Sequence, residues 1–326
     1  MGITQYIIIF ILLVFSELVY ISIAKKLRIG NEVTPRSSHK EFKVSGGGII
    51  FFISSLLFYA FYSGDIPSSF NIMLIGASIL ALVSFYDDVK NSAPWLRLAV
   101  HIVVVAILFY QILQNGYYDI FLLLLICGVG FINAFNFMDG INGILAGYTL
   151  VTLTTLLYCF FNFGTNQQSI FFTTFIGILI IATSIFCIFN CRKNAICFSG
   201  DVGSIVMGFF ILYLMSELIF IAKSASIIVF LIVYAVDAVF TIFQRLFAGE
   251  NIFQPHRLHL YQILANQCKI AHYKIALSYS ILQLIINIGY ILISEELRWT
   301  YFIVVTIILT IVYFSIKRNL IKRFKM

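Results

Sequence analysis

Charge is what this chain has least of: Asp, Glu, Lys and Arg together make up 11% of its 326 residues. A soluble domain carries about 25%, so the chain cannot cover a water-facing surface and a soluble globular protein is excluded. Barrel-type alternation of polar and apolar residues over short segments is also missing, which argues against a membrane β-barrel. No CxxC pair occurs, so neither a cysteine metal site nor a dithiol redox motif is indicated. The six cysteines sit in or beside apolar runs and are expected to be reduced thiols acting as small hydrophobes. There is no internal repeat and no low-complexity linker, so one membrane domain over residues 1–326 is expected. A cleavable leader is not expected either. The first apolar run, Ile3–Ala24, is too long for a signal core and is followed by Lys25, Lys26 and Arg28, which makes it an anchor.

What is abundant is hydrocarbon. Hydrophobic residues make up 61% of the chain, and the mean hydropathy is +1.00. A spanning helix needs about 20 mostly apolar residues, and backbone groups in lipid must be paired within the segment. The expected fold is therefore an all-α, polytopic transmembrane bundle of about eleven spans. Their approximate limits are 3–24, 48–62, 70–86, 96–113, 120–135, 144–161, 170–189, 202–221, 227–247, 275–293 and 299–316.

With the N-terminus outside and the C-terminus in the cytoplasm, only Lys223 and Arg298 of the 21 basic residues face outward. That bias sets topology. It also absorbs most of the net charge of +7, so no nucleic-acid partner is needed, and the tail "KRNLIKRFKM" is expected to lie on anionic membrane lipids.

In this orientation the outward loops are short and bland, and five polar clusters face inward. In "YDDVKNSAPWLRLAVH", Asp87 and Asp88 close one span, while Arg97 and His101 open the next on one helix face. Adjacent carboxylates repel unless a cation is near, and Mg²⁺ takes oxygen ligands together with phosphates. In "NAFNFMDGING", Asn133, Asn136, Asp139 and Asn142 recur every three residues, so a continuing helix would carry all four on one face. In "FSGDVGS", Asp201 sits between glycines at a helix start, as a simple cap or as part of a metal or diphosphate site. In "PHRLHLYQ", His256, Arg257 and His259 make a basic cluster suited to phosphate. In "RSSHKEFKVSGGG", Arg36, His39, Lys40 and Lys43 precede three glycines, a weaker signal that ordinary positive-inside charge would also explain. Asp237, inside the ninth span, is expected to form a structural pair with Arg245 or a neighbouring helix. Glu17 and Glu217 are placed near span ends, close to water.

Taken together, "DD", "NFMDG", "FSGDVGS" and "HRLHL", in this order and topology, resemble the polyprenyl-phosphate N-acetylhexosamine-1-phosphate transferases of glycosyltransferase family 4. That family also includes the phospho-MurNAc-pentapeptide translocase of peptidoglycan synthesis. The resemblance runs from Arg36 to Gln262. It implies an all-helical bundle with an inward cleft in the bacterial cytoplasmic (inner) membrane, with a homodimer as one oligomeric form. It also implies transfer of a sugar-1-phosphate from a UDP-N-acetylhexosamine to undecaprenyl phosphate, with release of UMP and with Mg²⁺ (or Mn²⁺) as cofactor. By the same resemblance, Asp201 and Asp88 would hold the metal and Asp87, Asp88, Asp201 and His259 would be catalytic. Arg36, His39, Lys43, Arg97, Asn133, Asn136, Asp139, Asn142, His256 and Arg257 would contact substrates.

Three departures stand out: "FKVSGGG" for the family's proline-containing glycine stretch, Asn142 for a second Asp, and Tyr261–Gln262 where histidines are usual. The "HRLHLYQ" form is similar to the branch that initiates O-antigen, a lipopolysaccharide component. The competing readings are a secondary transporter built on the intramembrane carboxylate of Asp237, and a non-catalytic scaffold. Transporter sites usually lie at the midplane between repeats.

Overall fold

The computed structural model describes residues 1–31, 42–90, 93–114, 118–164, 166–251, 254 and 256–324. Twelve α-helices form among these residues: α1 (Ile3–Leu27), α2 (Ile49–Phe61), α3 (Ser68–Lys90), α4 (Pro94–Gln114), α5 (Phe121–Phe137), α6 (Ile144–Phe163), α7 (Asn166–Asn190), α8 (Gly200–Ala222), α9 (Ile232–Phe247), α10 (Leu260–Asn266), α11 (His272–Leu292) and α12 (Arg298–Phe324). Each of the eleven apolar runs becomes a helix. The added one, α10, is a single short piece of 7 residues.

Eight helical segments are long and apolar enough to cross a membrane, while Ile49–Phe61, Pro94–Tyr110 and Phe121–Phe137 are shorter. At 1.5 Å per residue, the 13 residues of α2 reach only about 20 Å, short of the ~30 Å hydrocarbon core. Among the described residues the fold is all-α apart from a minimal antiparallel ribbon pairing Gly30–Asn31 with Lys43–Val44 and a single bridge between Val44 and Cys197.

α8 is the central post. Its residues from Val202 to Leu218 are mostly buried, and α2, α3, α5 and α6 pack around it. Where α2 and α8 begin, two glycines let the backbones meet. A Cβ on Gly48 would sit 2.3 Å from the Gly203 Cα, and one on Gly203 would sit 2.6 Å from the Gly48 Cα. In lipid, helices are held by such close packing rather than by water exclusion. Gly203→Ala is therefore expected to destabilise the purified protein by about 1–3 kcal/mol, the usual cost of overpacking; thermal unfolding in detergent measures it, and an unchanged midpoint would contradict this contact.

Toward the other end, Phe58 meets Phe70, Phe171 and Phe175 with ring centroids 5.1–5.3 Å apart, closing the bundle with aromatic edges. α1 and α12 are peripheral and present Ile7, Ile11, Phe15, Ile303, Ile307 and Ile311 outward, as lipid-facing helices do.

The ninth apolar run opens as a 3-10 stretch, Ala225–Leu231, which breaks into α9 at Ile232. Such a break frees backbone groups where no water can reach them. Gln283 of α11 compensates: it accepts from the Val233 N–H (3.0 Å) and donates to the Val229 carbonyl (2.9 Å). Tyr148 and Asn287 complete the network, and a Tyr148–Tyr234 ring stack at 3.5 Å lies beside it.

Two expectations are corrected. Cys187 and Cys191 are joined as a disulfide with Cα atoms 4.9 Å apart, instead of remaining thiols. They lie four residues apart at the end of α7, a spacing that stacks side chains one turn above another. Cys127, Cys159, Cys197 and Cys268 are free. Glu17 is not near water: it is 1% exposed, against the Cys197 thiol.

Candidate active site

Loops that are far apart in sequence are laced together at one end of the bundle. The Phe198 N–H donates to the Val44 carbonyl (2.8 Å), and Gly47 and Gly48 donate to Phe198 and Ser199 (2.9 Å each). This pins the glycine run before α2 against the start of α8. Gly200 has φ +71°, and a Cβ there would lie 2.5 Å from an Asp88 carboxylate oxygen and 2.6 Å from the Gly46 nitrogen, so only glycine fits.

Asp88, at the end of α3, fills the space this creates. Its Oδ1 accepts from the Asp201 N–H (3.0 Å) and its Oδ2 from the Val202 N–H (3.1 Å), while Ser45 Oγ donates to Oδ1 (3.2 Å). Asp88 therefore caps α8 from another helix, satisfying N–H groups that a helix start leaves unpaired. With its backbone fixed in this way, the Asp201 side chain turns to Arg97 and Asn136.

Arg97 Nη1 donates to Asp87 Oδ2 (2.6 Å) and to Asp201 Oδ2 (2.5 Å). Asn136 Nδ2 donates to Asp201 Oδ1 (2.9 Å) and Ser204 Oγ (2.9 Å). Ser199 donates its hydroxyl to Asp139. Burial pushes the Asp139 carboxyl up to about 8, against the Ser199 bond, and the nearby charges of Asp201 and Asp88 add to the rise. Asp87 and Asp201 thus share one guanidinium, with Asp88 on the Asp201 backbone and Asp139 on Ser199 beside them.

The all-oxygen donor set of these side chains fits a hard divalent cation. Among the described residues no group of three His, Cys, Asp or Glu side chains is placed to hold a metal ion by itself. Mg²⁺ does not require one, since it commonly uses one or two carboxylates and takes the rest from water and substrate phosphates.

The other expected site residues divide. Asn133 lies one turn before Asn136 and faces His101 (Nδ2 to Nδ1, 3.2 Å), which is 2% exposed. Asn142 does not join the acids. α5 ends at Phe137, Met138 caps it, and the loop turns Asn142 onto the carbonyls of Arg192 (3.0 Å) and Lys193 (3.4 Å). The expected four-residue polar strip is therefore two residues of helix followed by a loop.

His259 is 1% exposed, with Nδ1 3.6 Å from Asp237 Oδ1. His256 is half-buried, and burial lowers it to about 4. Arg257 is exposed, and Lys43 is half-buried in the ribbon. Arg36, His39 and Lys40 lie outside the described residues. Asp237 does not pair with Arg245, which bonds Glu250 instead (2.8 Å). Asp237 accepts from Leu260 N–H (2.8 Å), Tyr261 N–H (3.3 Å) and Tyr279 OH (2.7 Å), the bonds of an anchor, which removes the main support for a proton-relaying transporter.

Ser45, Ser199 and Ser204 escaped the sequence reading although all three lie in the motifs quoted for their neighbours. Tyr261, noted only as a departure, bonds the Phe137 carbonyl (2.7 Å) and packs under Gly140.

Fold and site together define a multi-pass α-helical membrane protein with an acidic centre where its inward-assigned loops meet. The pattern of glycosyl transferase family 4 matches residues 70–219, a stretch that contains Asp87, Asp88, Arg97, Asn136, Asp139 and Asp201. The curated relatives include phospho-N-acetylmuramoyl-pentapeptide-transferases. That of Latilactobacillus sakei is 30% identical over 190 residues, 50% of this chain and 57% of the relative. That of Listeria monocytogenes is 24% identical over 272 residues, 70% and 82% of the two chains. That of Thermotoga maritima is 28% identical over 224 residues, 61% and 70%. The similarity to the Latilactobacillus protein thus spans a little over half of that protein's length.

Proposed function

We propose that this protein transfers an N-acetylhexosamine-1-phosphate from a UDP-sugar to undecaprenyl phosphate at the cytoplasmic face of a bacterial inner membrane, releasing UMP. The observation that carries this reading is that Arg97 bridges Asp87 and Asp201, Asn136 holds the second oxygen of Asp201, and Asp88 caps the backbone of Asp201, all inside the segment that matches glycosyl transferase family 4. In the reaction, an oxygen of the lipid phosphate attacks the sugar-bearing phosphorus. One phosphoanhydride bond forms as the bond to UMP breaks, and the electron pair leaves on the UMP phosphate. The nucleophile is already an anion, so the main barrier is bringing two anionic phosphates together.

Asp201, with Asp88 beside it, would hold Mg²⁺, whose bound charge stabilises the phosphate oxygens and the leaving group. Arg97 holds the Asp87 and Asp201 carboxylates at fixed distance, and Asn136 fixes the second oxygen of Asp201. These groups are preorganised, so little reorganisation accompanies the reaction. Asp88 keeps the start of α8 in register with the glycine run. Arg257 and the basic loops supply the positive charge that phosphates need.

We assign an N-acetylhexosamine, rather than a peptide-bearing sugar, from the resemblance of "HRLHLYQ" to the O-antigen-initiating branch, and so place the product at the start of a cell-envelope glycan such as O-antigen. The test is a panel of UDP-GlcNAc, UDP-GalNAc, their 6-deoxy relatives and UDP-MurNAc-pentapeptide, offered to purified protein with undecaprenyl phosphate. Mass spectrometry should find a polyprenyl-diphospho-N-acetylhexosamine together with UMP, lost on chelation and restored by Mg²⁺. Product from UDP-MurNAc-pentapeptide alone would move the protein to peptidoglycan synthesis, and no lipid product from any donor would refute the proposal.

A further inference from the structure

Asp237 and His259 lie outside the acid cluster, and the acid-centre chemistry makes no use of the carboxylate. Asp237 is 2% exposed on the inner part of α9. Four elements converge on it. α10 gives the Leu260 and Tyr261 N–H groups (2.8 and 3.3 Å), and α11 gives the Tyr279 hydroxyl (2.7 Å). Thr241, one turn on in α9, approaches Oδ1 at 3.4 Å and is itself held by Lys317 Nζ of α12 (2.9 Å), which also bonds Tyr313 (2.6 Å). A carboxylate used only to cap a short helix would need the two N–H groups and no more.

The imidazole beside it is the unexplained part. Neither ring nitrogen of His259 has a hydrogen-bond partner among the described residues, although the side chain is 1% exposed. A buried polar nitrogen left unmade costs about 1–3 kcal/mol, so such a group calls for a partner. Nδ1 stands 3.6 Å from Asp237 Oδ1, just beyond bonding distance. Nε2 has nothing among the described residues. The ring stacks on Tyr261 (5.9 Å) and lies 6.4 Å from Phe137. Tyr261 in turn bonds the Phe137 carbonyl and packs under Gly140, next to Asp139. The Asp237 clamp thereby seats His259 against the loop that carries one of the site acids.

We propose that Asp237 is a positioning residue: it takes the Nδ1 proton of His259 in a hydrogen bond and so directs Nε2 toward a phosphate of the bound substrates. The phosphate part of this rests on the phosphosugar-transfer reading. A carboxylate on one ring nitrogen decides the tautomer, holds the ring plane and favours the protonated imidazole, whose other N–H then donates to an anion. Asn at 237 could keep one backbone bond but would offer an N–H to Nδ1 and reverse the tautomer.

The test has two arms. The chain has five histidines, so ¹⁵N-histidine NMR of the purified protein can resolve His259, assigned by its loss in His259→Asn. Nδ1 of His259 is expected to carry a proton in the wild type, and in Asp237→Asn the proton should sit on Nε2. A wild-type His259 protonated on Nε2 alone would overturn the proposal without requiring any Asp237 variant to fold. In the turnover arm, Asp237→Asn and His259→Asn should each lower kcat by about 10–100-fold, the scale of losing an orienting partner, with KM changed far less. The double variant should match His259→Asn alone, since Asp237 acts through the imidazole. Effects that multiply would show a separate structural role and overturn it. A wild-type protein with no UMP release would refute the transfer reading instead, and the tautomer measurement would still decide the Asp237–His259 pairing.

Discussion

Asp201→Asn should lower UMP release by about 10³-fold or more, while the protein still purifies as the wild type does. The side chain meets Arg97 through one oxygen and Asn136 through the other. Replacing one oxygen by an amide nitrogen sets an N–H against a partner that itself donates, and it removes a charge from the proposed cation site. A single preorganised electrostatic contact is worth on the order of 10²–10³ in kcat, and this change removes the guanidinium contact together with the proposed metal contact. The backbone N–H of Asp201, which Asp88 caps, is unaffected, so a large activity loss at an unchanged unfolding midpoint is the expected signature. Retention of a tenth or more of wild-type turnover would remove Asp201 from the reaction.

Asp88→Ala should act differently, lowering both turnover and stability. Both its oxygens hold N–H groups at the start of α8, from a helix more than a hundred residues away in sequence. Losing a cap costs about 1 kcal/mol, and here the register between the glycine run and Asp201 is lost with it. Turnover is expected to fall about 100-fold. Asp88→Asn should recover part of the stability, because one oxygen can still accept, while activity stays low. Equal stability of the alanine and asparagine variants, measured by thermal unfolding, would show that the cap contributes nothing.

The helices were legible because long apolar runs in so uncharged a chain have few alternatives; each run contains a helix, and eight helical segments are long and apolar enough to cross a membrane, fewer than the eleven spans expected. The grouping of the candidate site was legible at the level of motifs: Asp87 and Asp88, Asn136 and Asp139, and Asp201 come from separate motifs and lie close together in space. What failed did so for local reasons. Asn142 was placed by carrying the helical period through Met138, where α5 stops. Of the two structural partners expected for Asp237, Arg245 and a neighbouring helix, the structure selects the second: Arg245 finds Glu250 five residues on, and Asp237 finds α10 and α11. The capping role of Asp88 and the position of Ser45 depend on contacts between distant loops, which residue spacing does not encode. Helical i,i+4 geometry could have flagged Cys187 and Cys191, but an expected reducing compartment argued the other way.

In the proposed reaction, Asp201 and Asp88 would hold one divalent cation between two phosphates. Mn²⁺ titrated into the purified, chelator-treated protein and followed by electron paramagnetic resonance tests it directly and requires no knowledge of the sugar. The wild type should bind one Mn²⁺ per chain, with Mg²⁺ competing for the same site, and Asp201→Asn should lose that binding. Wild-type protein that binds no Mn²⁺, or an Asp201→Asn variant that binds it as tightly, would contradict the account.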